Sequence, residues 1–110
     1  VEQAKQRGEL DNIRCMINLD MTNNPSGLNA FGRSEMVPFL KTLGESIKTT
    51  DATFANNLAN QAGLHSDHQP FMLEGVPVAG LNGSLSRSVL DCYHANCDNI
   101  NLVKKEELTN

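Results

Sequence analysis

The chain has 110 residues, 39% of them apolar and 20% charged, with a net charge of −4. That is enough for one domain with a modest core, in the balance of a globular rather than a disordered chain. The negative charge and the lack of a Lys/Arg stripe argue against a nucleic-acid partner, and no apolar run is long enough to span a membrane.

Val1 to Glu9 is polar and helix-like, and its opening residues do not form a signal peptide, which a mature secreted chain would have lost in any case. Asn12 to Asp20 is a largely apolar run. Ile13, Cys15, Ile17 and Leu19 share one face and Met16 adds to the other, so the run predicts a central strand covered on both sides, with Cys15 a buried thiol. Asp20 closes that strand, and Thr22-Asn23-Asn24-Pro25-Ser26-Gly27 follows as a dense turn signal.

Ser34 to Lys48 carries Met36, Leu40, Leu43 and Ile47 on one helical face, with Ser34 as N-cap; Pro38 falls late for a first turn, which moves the start or makes that turn irregular. An extended piece is expected around Thr53-Phe54-Ala55, then loop from Asn57 to Ser66. Asp67 to Glu74 predicts a short helix capped by Asp67, with Phe71, Met72 and Leu73 inward and Gly75 ending it. Val76 to Leu81 reads as a second buried strand with Pro77 near its start. Asn82 to Ser88 reads as loop, and a last helix begins near Asn101 or Val103. Strand, helix, short helix, strand, helix is the order of an α/β sheet with helices on its faces. The final helical pattern stops at Asn110 after about one turn, too short to bury a face; residues 1–110 are therefore expected to be one partial domain.

The densest chemistry is Cys92-Tyr93-His94-Ala95-Asn96-Cys97-Asp98-Asn99. With Cys15 set aside, Cys92 and Cys97 remain as a pair. They are either a disulfide, implying a secreted, periplasmic or extracellular protein, or two reduced thiols in a cytosolic loop. A disulfide would fix the backbone on both sides of His94 and aim its imidazole and the Tyr93 phenol at one point, as a metal site with a polarising neighbour requires.

Sites in such sheets lie outside the carboxyl ends of the strands. Asp20 sits at one such end, and the loop bearing His94 follows the other strand. A carboxylate and an imidazole make half of a zinc site; His65, Asp67, His68, Glu74 and Asp98 are further candidates. Each has a plainer reading: Asp20 as a strand-end Asx turn, and Asp67 as a helix cap flanked by His65 and His68. Asn82-Gly83-Ser84 fits the N-glycosylation pattern, relevant only in a secreted eukaryotic protein. No phosphate-binding Gly-rich loop and no Gly-x-Ser-x-Gly elbow is present.

Four segments occur here in the order and spacing of the M28 zinc aminopeptidases: Asn18-Leu19-Asp20-Met21; Ser66-Asp67-His68-Gln69-Pro70-Phe71; Gly75-Val76-Pro77-Val78; and Cys92-Tyr93-His94-x-x-Cys97-Asp98-Asn99. The last resembles the secreted Streptomyces-type enzymes of that family. The resemblance runs from about Asn12 to Asn110. It implies a three-layer mixed sheet with helices on both faces, of the zinc exopeptidase kind, and a parent enzyme hydrolysing N-terminal residues from peptides at a pair of zinc ions. It implies that Asp20 ligates one zinc and His94 the other, that Tyr93 polarises the scissile carbonyl, and that Cys92 and Cys97 are disulfide-bonded. Ser66, Asp67, His68 and Asp98 would line or support the pocket without ligating. The family's His-x-Asp motif and Glu-Glu pair lie in an upstream half that these residues do not include, so the rest of the catalytic domain is an expected partner and the chain alone is expected to be inactive. Ser66 to Val78 also resembles the Asp-Asp-His-x-Pro-Phe-Leu and Gly-Val-Pro-Val segments of glutaminyl cyclases, single-zinc acyltransferases in which the strand-end Asp is catalytic. A peptidase-like interaction module without metal is the non-enzymatic rival.

Overall fold

The computed structural model describes residues 1–109. Helix α1 spans Glu2–Gln6, strand β1 Met16–Asn18, β2 Pro25–Asn29, helix α2 Val37–Thr50, β3 Asn57–Ala59, α3 Gln69–Leu73, β4 Val78–Gly83, α4 Arg87–Cys92 and α5 Lys105–Thr109. The strands form one mixed sheet in the order β1-β4-β2-β3. β1 runs parallel to β4 and β2 parallel to β3, while β2 and β4 are antiparallel.

Alternation along the strands divides the sheet into two faces. Leu28 and Ala30 near β2, Ala79 of β4, Leu40 of α2 and Phe54 form the buried core, joined by half-buried Met36, Val37, Ile47, Leu58 and Leu81. α2 therefore roofs β2, β3 and β4. It begins at Val37, so Pro38 falls in the first turn, where its missing N–H costs nothing; Ser34–Met36 is a short 3₁₀ turn ahead of it.

Gly80, between Ala79 and Leu81, points to the other face, and Phe31 lies there: a Cβ on Gly80 would come within 2.7 Å of its ring. Asn18 is in register with Gly80 and shares that face, while Ile17, opposite Ala79, shares the α2 face.

Several expectations change. The first strand is three residues long, and Leu10–Asn12 is a 3₁₀ turn. Among the described residues β1 is an edge strand, paired on one side only. Ile17 and Leu19 are 65% and 68% exposed, because the α2 roof stops short of them. Cys15, on the same open face, is exposed rather than buried; the partial burial it keeps still pushes its thiol pKa up.

The turn signal at Thr22–Gly27 gives way at Pro25 to β2, whose Gly27 passes against the backbone of Asn57, where a Cβ would strike the Asn57 carbonyl. The extended piece lies at 57–59 as β3, inside the expected loop, while Phe54 before it is a buried core residue. α3 starts at Gln69 with His68, not Asp67, at its N-cap position, and Leu73 is 70% exposed. α4 occupies the end of the expected loop and beyond, held by an Arg87–Asp91 ion pair at 2.8 Å one turn apart. The C-terminal expectation resolves into a 3₁₀ turn, Ile100–Leu102, and α5. No helix among the described residues is long and apolar enough to cross a membrane.

Candidate active-site rim

A cavity of about 300 Å³ opens beside the end of β1. Asn18, Asp20, Phe31, Ser66, His68 and Asn82 are among the residues lining it. Three elements bring these groups together: β1 delivers Asn18 and Asp20, the end of β2 leads to Phe31, and the turn before α3 carries Ser66 and His68.

Ser66 Oγ donates to Asp20 Oδ2 at 2.7 Å, and Asn18 Nδ2 donates to Ser66 Oγ at 2.9 Å. The same Asn18 amide nitrogen lies 3.1 Å from His68 Nδ1, and His68 Nε2 lies 2.7 Å from the Gly63 carbonyl oxygen. His68 is 2% exposed and Asn18 8% exposed, so both are buried polar groups with their partners in place. The imidazole also stacks on Phe31, ring centroids 3.9 Å apart and planes 24° apart.

Hydrogen counting assigns the directions. The Gly63 carbonyl can only accept, so His68 Nε2 carries a hydrogen. The Ser66 hydroxyl has one hydrogen, given to Asp20, so its contact with Asn18 must be one it accepts. Asn18 therefore presents its NH₂ group here, whose other hydrogen goes to His68 Nδ1. Every contact in the chain from Gly63 to Asp20 is then satisfied.

The second cluster follows α4. Cys92 and Cys97 form a disulfide with Cα atoms 5.2 Å apart, which removes the reduced-thiol alternative. Within the loop His94 adopts a positive φ of 55°, and Tyr93 meets its ring edge-on, centroids 4.1 Å apart. Both are exposed, and neither lines the cavity beside Asp20. Asp98 is exposed at the end of the loop and Asp67 is exposed before α3. His65 is exposed, and its backbone N–H donates to Gln69. Glu74 is held by Lys5 at 2.7 Å, and this partner raises the lysine's pKa.

Among the described residues no three His, Cys, Asp or Glu side chains converge as a metal site. Asp20 fits as one ligand, a carboxylate at a cavity mouth with one oxygen steadied by a hydroxyl, but the chain by itself does not fit a complete zinc site. Asn82 of the glycosylation triplet lies in β4, and its amide nitrogen donates to the Leu28 carbonyl at 3.0 Å. Asn18, Phe31 and the Gly63 carbonyl carried no assigned role in the sequence reading. The signals for Asn18 were its place at the head of the Asn18-Leu19-Asp20-Met21 segment and an amide in a largely apolar run.

The sequence matches the family described as Peptidase family M28 along residues 1–110. The chain belongs to peptidase family M28. A comparison with curated proteins finds none that matches. Among solved structures, this M28 chain is similar to the crystal structure of an Acidobacteriales bacterium glutaminyl cyclase. The TM-score is 0.59 at 22% identity, over 97% of this chain and 38% of that one. The mixed α/β sheet is thus of the zinc exopeptidase-like kind that this family and the cyclase share, and the M28 chain spans well under half the length of that structure.

Proposed function

We propose that this chain is the C-terminal part of the catalytic domain of a zinc aminopeptidase, which hydrolyses N-terminal residues from peptides. Membership of M28 supports a metallopeptidase. The observation that carries the finer reading is the Ser66–Asp20 contact at the cavity mouth. In the cyclase segment an Asp occupies the place of Ser66. Two carboxylates at that distance would have to share a proton, whereas a serine hydroxyl brings its own and leaves Asp20 free to serve a cation.

In this reading Asp20 and His94 each give one ligand, to different ions of a zinc pair, and the other ligands and the general base come from the remainder of the domain. Bound zinc would polarise the scissile carbonyl and activate water. The chain's own contributions are to orient the Asp20 carboxylate through Ser66 and to hold Tyr93 and His94 in the disulfide-bounded turn. From there the Tyr93 hydroxyl would donate to the carbonyl oxygen as negative charge develops. The disulfide supports an extracellular or periplasmic location.

The fold likeness to a glutaminyl cyclase favours a second reading, cyclisation of N-terminal glutaminyl peptides. The full-length protein decides between them: aminopeptidase predicts hydrolysis of an aminoacyl anilide, and cyclase predicts ring closure without hydrolysis. Asp20→Ala is expected to remove one zinc per protein and lower kcat at least about a hundredfold. Unchanged zinc stoichiometry would refute the ligand assignment.

A further inference from the structure

We infer that His68, Asn18 and Ser66 are positioning residues that set the direction of the Asp20 carboxylate through a one-way chain of hydrogen bonds anchored on the Gly63 carbonyl. The inference rests on the ligand role proposed for Asp20.

The chain is directional because the Asp20 carboxylate and the Gly63 carbonyl both accept, and one arrangement of hydrogens between them then satisfies every contact. Gly63 takes the hydrogen of His68 Nε2 across 2.7 Å, which leaves Nδ1 as an acceptor. Nδ1 then takes one hydrogen of the Asn18 amide at 3.1 Å. The second goes to Ser66 Oγ at 2.9 Å, which turns the Ser66 hydroxyl toward Asp20 Oδ2 at 2.7 Å. With the opposite histidine tautomer, Nδ1 would donate, Asn18 would present its carbonyl oxygen, and Ser66 would have to spend its hydrogen there. Asp20 would lose its donor.

The chain is also rigid at its buried end. His68 is 2% exposed and stacked on Phe31, and Phe31 is pressed against Gly80. Its other end is exposed at Asp20. A buried, fully paired imidazole with no room to turn thus reaches a surface carboxylate that it never touches. Groups that orient metal-binding side chains in this way influence metal affinity by about 10–100-fold.

The test uses the full-length protein. In its metal-stripped form, labelled with nitrogen-15 at histidine, His68 should show a proton on Nε2 and none on Nδ1; a proton on Nδ1 overturns the chain whatever Asp20 binds. Zinc affinity, read by competition with a chromophoric chelator, should fall at least about tenfold in Ser66→Ala. Ser66→Thr, which keeps the hydroxyl, should restore it, and circular dichroism of the metal-free proteins should show the same fold in all three at the assay temperature. Parental affinity in Ser66→Ala, with zinc lost in Asp20→Ala, overturns the positioning role and leaves the ligand reading intact. Full zinc retention in Asp20→Ala overturns the ligand reading and, with it, the consequence drawn for Ser66.

Discussion

Three residues with little in common by sequence position share one small volume. Phe31 stacks on the His68 ring and also packs against the bare Cα of Gly80, where an added methyl would reach within 2.7 Å of the Phe31 ring. One side of the ring is closed by His68, whose centroid is already 3.9 Å away and whose two nitrogens are both committed. Gly80→Ala should therefore destabilise the fold by about 1–3 kcal/mol, the ordinary cost of overpacking. It should do so although alanine suits a strand no worse than glycine. Urea unfolding of the variant against the parent checks this, and a loss below about 0.5 kcal/mol, the scale of an inert surface change, would mean that Phe31 has room to move. At this scale Asp20 was legible as a carboxylate just past a strand, and the structure sets Ser66 and His68 around the same cavity. The role of Asn18 was not legible, because its partners lie 48 and 50 residues away and no local pattern reports them.

Elements followed local chemistry where it was strong and tertiary pairing where it was weak. α2 was legible because four turns carry a continuous apolar stripe, while its start at Val37, which puts Pro38 in the first turn, was not. β2 was not: Pro25, Ser26 and Gly27 are poor strand residues, yet they sit between β3 and β4 because glycine alone permits the close approach to Asn57. β3 failed for the same reason, being only three residues and edge-paired. The link between α2 and β3 depends on Asp51, whose carboxylate accepts from the Thr53 hydroxyl and from its backbone N–H at 2.8 Å. These bonds, the hydroxyl first, hold the Asp51 carboxyl below its ordinary value. The folded value is the lower one, so the contribution is complete above the unfolded carboxylate pKa of about 3.9. It is lost as the pH falls through the folded value. The melting temperature should therefore drop less steeply below about pH 4 in Asp51→Asn than in the parent. Parallel acid limbs would show that the turn survives without the charge.

At the scale of the whole molecule, part of the sheet is roofed by a helix and part is bare. α2 closes over β2, β3 and β4, while β1, the strand that ends in Asp20, is an edge whose Ile17 and Leu19 remain bare on the α2 face. Candidate ligands follow the same division. Asp20 stands beside the open edge, His94 projects from a separate disulfide-bounded turn, and no third His, Cys, Asp or Glu among the described residues joins either. Zinc held in proteins takes three or four protein ligands, so a single carboxylate or imidazole gives only weak, exchangeable binding. The 110-residue chain, loaded with zinc and dialysed, should retain well under one equivalent by atomic absorption and hydrolyse no aminoacyl anilide. The full-length protein should retain zinc through the same dialysis and lose part of it in Asp20→Ala. A firmly held equivalent in the 110-residue chain that disappears with Asp20→Ala would mean that its own side chains close a site around Asp20. The division of ligands between this chain and the rest of the domain would then be wrong.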